Sequence, residues 1–463
     1  MTVLGKYAPE LVADFYAFTM SASYFQEGMF EDATFSLFIR EYPPHRAFFV
    51  SAGINYLVEI ITQSRFSKES LRYLHSLKLF SSEFLDYLKR FRFTGTIRAI
   101  PEGRIFFSQE PVLEVTAPII EGQLLETLVI NLIQLETMIA SKAVRCIHAA
   151  KGRRLIDFSL RRTQGVDAGM AAARASYLAG FMGTSNVLAG KIHGIPVFGT
   201  MAHSYVTSFN HEMDAFLAFV EVFPDNTVLL IDTYDTLCGA QKAVEVAHLL
   251  KARGKHLIGV RLDSGNLVEL SKEVRRIFNL ANLPDVQIMA SGNLDEFRIA
   301  ELVEAGAEID TFAVGTRMGV SADAPYLDIA YKLVEYADRP ILKLSAGKKT
   351  WVSRKQVYRY YGGDGKMRED CICLLSEVRS GADPLLEVVV AGGERRNAPE
   401  SLEGARKRLA EDRKALPSDY QELRPAKTYP VRISEFLREL DLRITQEKER
   451  QEISQSCGPR ATV

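Results

Sequence analysis

The sequence predicts an α/β fold: an irregular α/β (TIM-like) barrel joined to an α+β domain that is built from the N- and C-terminal segments. Three observations predict it. Six short apolar runs, RRLIDFSLRR, IPVFGTMAHS, TVLLIDTYD, HLIGVRLDSG, VQIMASGN and TFAVGT, each close on polar or glycine residues. Their exits at Asp157, Met201, Asp232, Arg261, Ser291 and Gly315 are spaced by 44, 31, 29, 30 and 24 residues, room for one helix between successive strands. The stretches on either side of these runs lack that rhythm.

Residues 1–130 mix strand-like runs, DATFSLFIREY and EPVLEVTAP, with helical spacing in SKESLRYLHSLKLFSSEFLDYLKRF, the signature of an α+β domain. EGQLLETLVINLIQLETMIASKAVRCIHAAKG reads as a long helix leading into the barrel, which is placed at residues 131–335. Within it, GAQKAVEVAHLLKARG and GNLVELSKEVRRIFNLA carry apolar residues at helical spacing between the strands. The strands are continuously apolar, as buried parallel strands are. No G-x-G-x-x-G follows the first of them, which favours a barrel over a doubly wound sheet. Residues 336–463 begin with strand-like, cation-rich RPILKLSAGKKTWVSRKQVYRYYGG, which completes the first domain, and end in amphipathic helices and a tail.

Composition narrows the function classes. Fifty-seven basic against 58 acidic residues leave a formal net charge of −1, which gives no reason to expect a nucleic acid. The first 20 residues lack the basic start and apolar run of a secretory signal, and no stretch is read as a membrane span. The five cysteines, Cys146, Cys238, Cys371, Cys373 and Cys457, are odd in number and scattered, so a cytoplasmic protein without a disulfide framework is expected. Cys371 and Cys373 form a C-x-C pair with no second pair at zinc spacing and read as alternate residues of a strand.

In barrels, functional groups gather at the carboxyl ends of the strands. His203 follows such an end between the small residues Ala202 and Ser204, which leave its ring accessible; His45, His75, His211 and His248 lie in loop-like or helical surroundings and carry no signal. Asp232, Asp235 and Asp263 sit on neighbouring exits, where converging acids suit Mg²⁺, ribose hydroxyls or orientation of a histidine; Asp235 is the Mg²⁺ candidate. Taken singly, Asp232 or Asp235 reads equally well as a helix cap. Arg261 and Ser264-Gly265 flank Asp263 with a cation and an open backbone, as a sugar phosphate requires. Arg161 and Arg162 close the first run, one facing the site and the other away. Gly292, Gly315 and Thr316 lie in the two loops where barrels bind phosphate through backbone amides. These residues describe a barrel enzyme acting on a phosphorylated compound.

ADFYAFTM, FSLRRTQG, GFMGTSNVLAG, GTMAHS, DTYD, GVRLDSGN, MASGN and AVGT, in this order over roughly residues 8–360, resemble the nicotinate phosphoribosyltransferase family. The resemblance implies a homodimer with active sites at the subunit interface, converting nicotinate and phosphoribosyl pyrophosphate (PRPP) to nicotinate mononucleotide and pyrophosphate, with Mg²⁺ and ATP required. It implies that ATP phosphorylates His203, that Asp232 orients this histidine, and that Arg261, Asp263, Ser264 and Gly265 hold phosphoribosyl groups. Gly292, Gly315 and Thr316 are then the 5′-phosphate cradle. Phe158, Arg161 and Ser185 line the pyridine pocket, with Tyr16 and Asp14 contributed by the neighbouring subunit. Lys343, together with Lys348, Lys349, Arg354 and Lys355, supplies cations to pyrophosphate or ATP, the alternative being a solvated basic face. Related nicotinamide enzymes place an aspartate where this chain has Ser185. A serine hydroxyl donates to a carboxylate, so nicotinate is favoured and nicotinamide is the alternative substrate. ADFYAF replaces the family's more usual TDLYQL. Outside enzymes of this kind, a silent phosphosugar sensor and a Schiff-base aldolase are the rivals; retention of His203 with Arg261 and Asp263 argues against the first, and the lack of a lysine at the six exits against the second.

Overall fold

The computed structural model describes residues 8–344 and 350–454. The chain forms two compact units, one contiguous over residues 139–325 and one assembled from residues 1–138 and 326–463. The sequence places the first joint at 130/131. It falls instead at 138/139, inside the helix Glu126–Ala149, where no change of composition marks it. This helix also corrects the reading that no stretch could span a membrane: it is long and apolar enough to do so, but 67% of its most apolar window is buried, as in a core helix.

In the contiguous unit, strands β1 (Arg154–Asp157), β2 (Gly183–Thr184), β3 (Val228–Leu230), β4 (Gly259–Leu262), β5 (Gln287–Ala290) and β6 (Thr311–Val314) form a parallel sheet in the order β2-β1-β6-β5-β4-β3. The sheet curls into a half-barrel. Its strands are buried because helices cover them: Thr236–Ala252, Leu267–Leu280 and Glu296–Glu304 each follow a strand, as the apolar spacing requires. Asp235 and Asp295 cap two of these helices through the amides of Cys238 and Arg298.

One expected strand is absent. IPVF does not extend the sheet; Val197 makes a single parallel bridge to Thr184, with Phe198 donating to the Thr184 carbonyl at 2.9 Å. Pro196 has no amide hydrogen to offer a ladder, and its carbonyl packs so closely on Gly183 that a Cβ there would lie 2.3 Å away. The run stays beside the short edge strand β2, on the side away from β1.

The second unit has a seven-stranded antiparallel sheet interleaving both ends of the chain: Ile329–Tyr336 pairs with Asp32–Ile39, and Glu387–Ala391 with Thr96–Ala99. A four-stranded sheet contains Lys355–Tyr361 and Met367–Leu374. Cys371 and Cys373 are alternate residues of the latter strand. Buried charges tie the segments together. Asp412, on the helix Leu402–Ala415, accepts from the Arg104 side chain at 2.9 Å and the Ile105 amide at 2.8 Å, and Arg359 pairs with Asp370 at 2.6 Å. Arg354 and Lys355 are engaged by acids of this unit: Arg354 pairs with Glu335 at 2.8 Å, and Lys355, buried, pairs with Glu114 at 3.2 Å. Lys348 and Lys349 lie outside the described residues.

Candidate active site

Register brings the chemistry to one edge. Leu230 on β3 and Met289 on β5 both align with Arg261 on β4, so the loops that follow these three strands leave the sheet side by side. Hydrogen bonds stitch the loops together. Asp232 Oδ2 accepts from the Asp263 amide and from the Ser264 hydroxyl, each at 2.8 Å, and the Asp263 carboxylate accepts from the Ser291 hydroxyl. Gly292 has φ +92, and a Cβ there would lie 2.2 Å from the Asp263 carbonyl, so this close approach of two loops admits only glycine. Gly265, at φ +82, turns the chain out of the Asp263 loop.

Arg261 donates from Nη1 to the Thr200 hydroxyl at 2.8 Å, while its buried Nε has no partner. Burial lowers the basicity of its guanidinium; Asp263 and Asp232 restore part of it, and the positive charge of nearby Arg161 lowers it further. A partly desolvated cation with an unspent donor, facing two carboxylates, is a receptor for an anion's oxygens.

His203 does not leave a regular strand; it is the first residue of the short helix His203–Thr207. Its Nδ1 lies 3.1 Å from the Thr233 hydroxyl and its Nε2 lies 4.0 Å from Asp263 Oδ2. Asp232 therefore does not orient the imidazole. Its carboxylate is turned to the Asp263–Ser264 backbone and hydroxyl, and Thr233, one residue on, meets the ring. Asp235 accepts the Cys238 amide at 2.8 Å, and that bond holds its carboxyl below the usual carboxylate value. The cap is thus the use the fold makes of this residue.

Phe158, Arg161 and Ser185 follow β1 and β2, which are neighbours in the sheet. Arg161 is on a 3-10 turn, Leu160–Arg162, rather than on the strand; the turn exposes both arginines. Gly315 and Thr316 follow β6, and Thr316 opens the short helix Thr316–Gly319. Arg317 pairs with Asp295 at 2.7 Å, joining the two loops assigned to phosphate. In the other unit, Tyr16 is half-exposed in the first turn of Phe15–Gln26, and Lys343 is exposed. Burial, then the charge of Glu126, raises the Tyr16 hydroxyl to about 12, so it stays protonated. The Thr127 hydroxyl accepts the Asp14 amide at 2.9 Å and donates to the Asp14 carboxylate at 2.8 Å. Thr233, Thr200 and Ser291 complete the arrangement without having been assigned roles from the sequence; hydroxyls on separate loops, spread between residues 200 and 291, leave no charge or periodicity to detect.

No cluster of three or more metal-ligating side chains exists among the described residues. Mg²⁺ still fits, because it binds through one or two carboxylates plus substrate phosphates, and Asp232 Oδ1 is buried without a partner beside Asp263.

The chain matches the family model of the nicotinate phosphoribosyltransferase (NAPRTase) N-terminal domain over residues 11–134, and that of the nicotinate phosphoribosyltransferase (NAPRTase) family over residues 153–360. It is 45% identical over 439 residues to the nicotinate phosphoribosyltransferase pncB2 of Mycobacterium tuberculosis, covering 93% of each chain. The nicotinate phosphoribosyltransferase of Bacillus subtilis is 36% identical over 376 residues, 79% of this chain and 76% of that one. The crystal structure of human nicotinic acid phosphoribosyltransferase superposes with a TM-score of 0.86 at 29% identity, over 94% of this chain and 100% of that chain.

Proposed function

Because the chain belongs to the nicotinate phosphoribosyltransferase family, we propose that the edge formed by β1 to β6 transfers the phosphoribosyl group of PRPP to nicotinate, coupled to ATP. The pyridine nitrogen bonds to the anomeric carbon as the bond to pyrophosphate breaks, through an oxocarbenium-like state that needs charge on the leaving group to be neutralised. The observation that carries this reading is the convergence of Arg261, with its unspent buried Nε, on Asp232 and Asp263 at one sheet edge. Arg261 takes the oxygens of the phosphoribosyl substrate, and the amides beside Gly292, Gly315 and Thr316 hold its 5′-phosphate. Asp232 and Asp263, together with substrate oxygens, would hold Mg²⁺, which would supply charge neutralisation. Phe158 and Arg161 contact the ring, and the Ser185 hydroxyl, which makes no hydrogen bond among the described residues, donates to the nicotinate carboxylate. A homodimer in which Tyr16 and Asp14 of a second copy complete the ring pocket is part of the proposal, as is a cytoplasmic location.

His203 is the acceptor of the ATP phosphoryl group in this reading. Its ring is half-exposed and held at Nδ1, so the Nε2 side is open to a phosphate. The test is product analysis with nicotinate, PRPP and Mg²⁺, with and without ATP, for wild type and His203→Ala. Wild type is expected to be stimulated by ATP and to carry an acid-labile phosphate; H203A is expected to lose the stimulation and keep slow transfer. An active wild type that is never phosphorylated would refute the coupling. Turnover of nicotinamide without nicotinate would refute the substrate.

A further inference from the structure

Asp157, at the end of β1, is fully buried and takes part in no ion pair among the described residues. An isolated buried carboxylate is costly, and burial pushes its carboxyl above the usual value while hydrogen bonds from Ser159 and Thr184 pull it back. What these hydrogen bonds connect explains its presence. Oδ1 accepts from the Ser159 amide at 2.9 Å, inside the turn that carries Phe158 and Arg161. Oδ2 accepts from the Thr184 hydroxyl at 2.7 Å, and the Asp157 carbonyl accepts from the Ser185 amide at 2.8 Å. Thr184 in turn accepts the Asn186 amide at 3.0 Å. Asn186 caps the helix Val187–His193 through the Ala189 amide at 3.1 Å.

The direction of this chain matters. An anionic carboxylate can only accept, which compels Thr184 to donate to it and leaves the Thr184 lone pairs for Asn186. The Ser185 amide is spent on the Asp157 carbonyl. The Ser185 hydroxyl is then the free donor of its loop, presented at a fixed place beside Phe158. A ligand carboxylate needs such a donor; a carboxamide gains less from it.

We infer that Asp157 is a positioning residue for ring selectivity: through Thr184 it locks the Ser185 loop to the Phe158 turn, so that the Ser185 hydroxyl meets a pyridine carboxylate. This rests on the reading that Phe158 and Ser185 line the nicotinate pocket.

The experiment compares T184V, T184S, D157N and S185A by steady-state kinetics with nicotinate, nicotinamide and PRPP. T184V is nearly isosteric, and it removes the donor to Asp157. It is expected to raise KM for nicotinate about tenfold or more, the effect of a lost hydrogen bond to a charged group. KM for PRPP and kcat should stay within about threefold, since uniform ring binding alone is lost. T184S keeps the hydroxyl and should behave as wild type. D157N places an amide donor against Thr184 and should narrow the preference for nicotinate over nicotinamide. Equal impairment of T184S and T184V, or a joint rise of KM for both substrates, would overturn the inference. If S185A raises KM for nicotinate and T184V does not, the inference alone fails; if S185A leaves it unchanged, the ring-pocket reading fails.

Discussion

Thr233 and His203 show how much a site depends on a single hydroxyl. A threonine hydroxyl can accept from or donate to Nδ1, so it holds the ring in place whichever nitrogen carries the proton. If His203 couples ATP to transfer, T233V should lower the ATP-stimulated rate about tenfold, the scale of one hydrogen bond to a group that becomes charged, with little change in the ATP-independent rate. T233S should retain the stimulation. The ratio of the two rates, measured for each variant, is the readout; a parallel fall in both would separate Thr233 from the coupling. At this scale Arg261, Asp263 and His203 were legible in the sequence, because charged side chains just beyond apolar runs stand out. Which residue of the DTYD turn meets the histidine was not. Asp232 and Thr233 differ by one position in a turn, and only the path of that turn decides which of them faces the ring.

Among elements, the loops after β4 and β5 are the most constrained. Gly292→Ala would place a Cβ against the Asp263 carbonyl and strain a left-handed backbone. It should destabilise the protein by about 1 kcal/mol or more. With Asp263 displaced, KM for PRPP should rise about tenfold. Thermal melts and PRPP titrations check the two effects separately, and a variant with wild-type KM would free Gly292 from the phosphate role. Five of the six apolar runs contribute a strand, since continuous burial writes itself as continuous apolar sequence. IPVF has the same composition but does not become one. Its proline and the near contact with Gly183 leave only the Val197 bridge, and such packing of one backbone on another has no signature in hydrophobicity. Asp157 was hidden for a related reason: an acid at the end of an apolar run looks like any strand exit until its partners across the sheet are known.

For the molecule as a whole, buried charge in the composite unit sets the response to pH. Burial, and then the charge of Asp370, hold the Glu110 carboxyl well above the ordinary range. The folded protein thus keeps a proton that the unfolded chain gives up. Stability from this group is complete at acidic pH and is lost as pH rises from the ordinary carboxylate value through the folded one. E110Q stays neutral, so its melting temperature should fall less than that of wild type between about pH 5 and about pH 8. Asp412, also buried, is the acceptor for Arg104 and the Ile105 amide. D412A should cost about 3 kcal/mol or more in denaturant melts, because it leaves the buried Ile105 amide and the part-buried Arg104 without their acceptor. The sequence pointed to a domain shared by both ends of the chain, since the βα rhythm stops on either side of the half-barrel. It assigned no role to the residues beyond about 368, because Asp412 meets Arg104 and Ile105 some 300 residues away in the chain.

That discontinuity also dictates an order of events at the ribosome. The contiguous unit holds all its strands by residue 314 and can close once residue 325 has emerged, while the first 138 residues must wait for partners that are still untranslated. The strand Asp32–Ile39 is exposed along one side until Ile329–Tyr336 arrives, and Thr96–Ala99 waits longer for Glu387–Ala391. Unpaired strand edges invite pairing with other chains. The early-made segment of this protein is therefore the part most in need of a chaperone, and nascent chains stalled only after residue 325 has left the ribosome should show a protease-resistant half-barrel unit beside a still-digestible N-terminal segment.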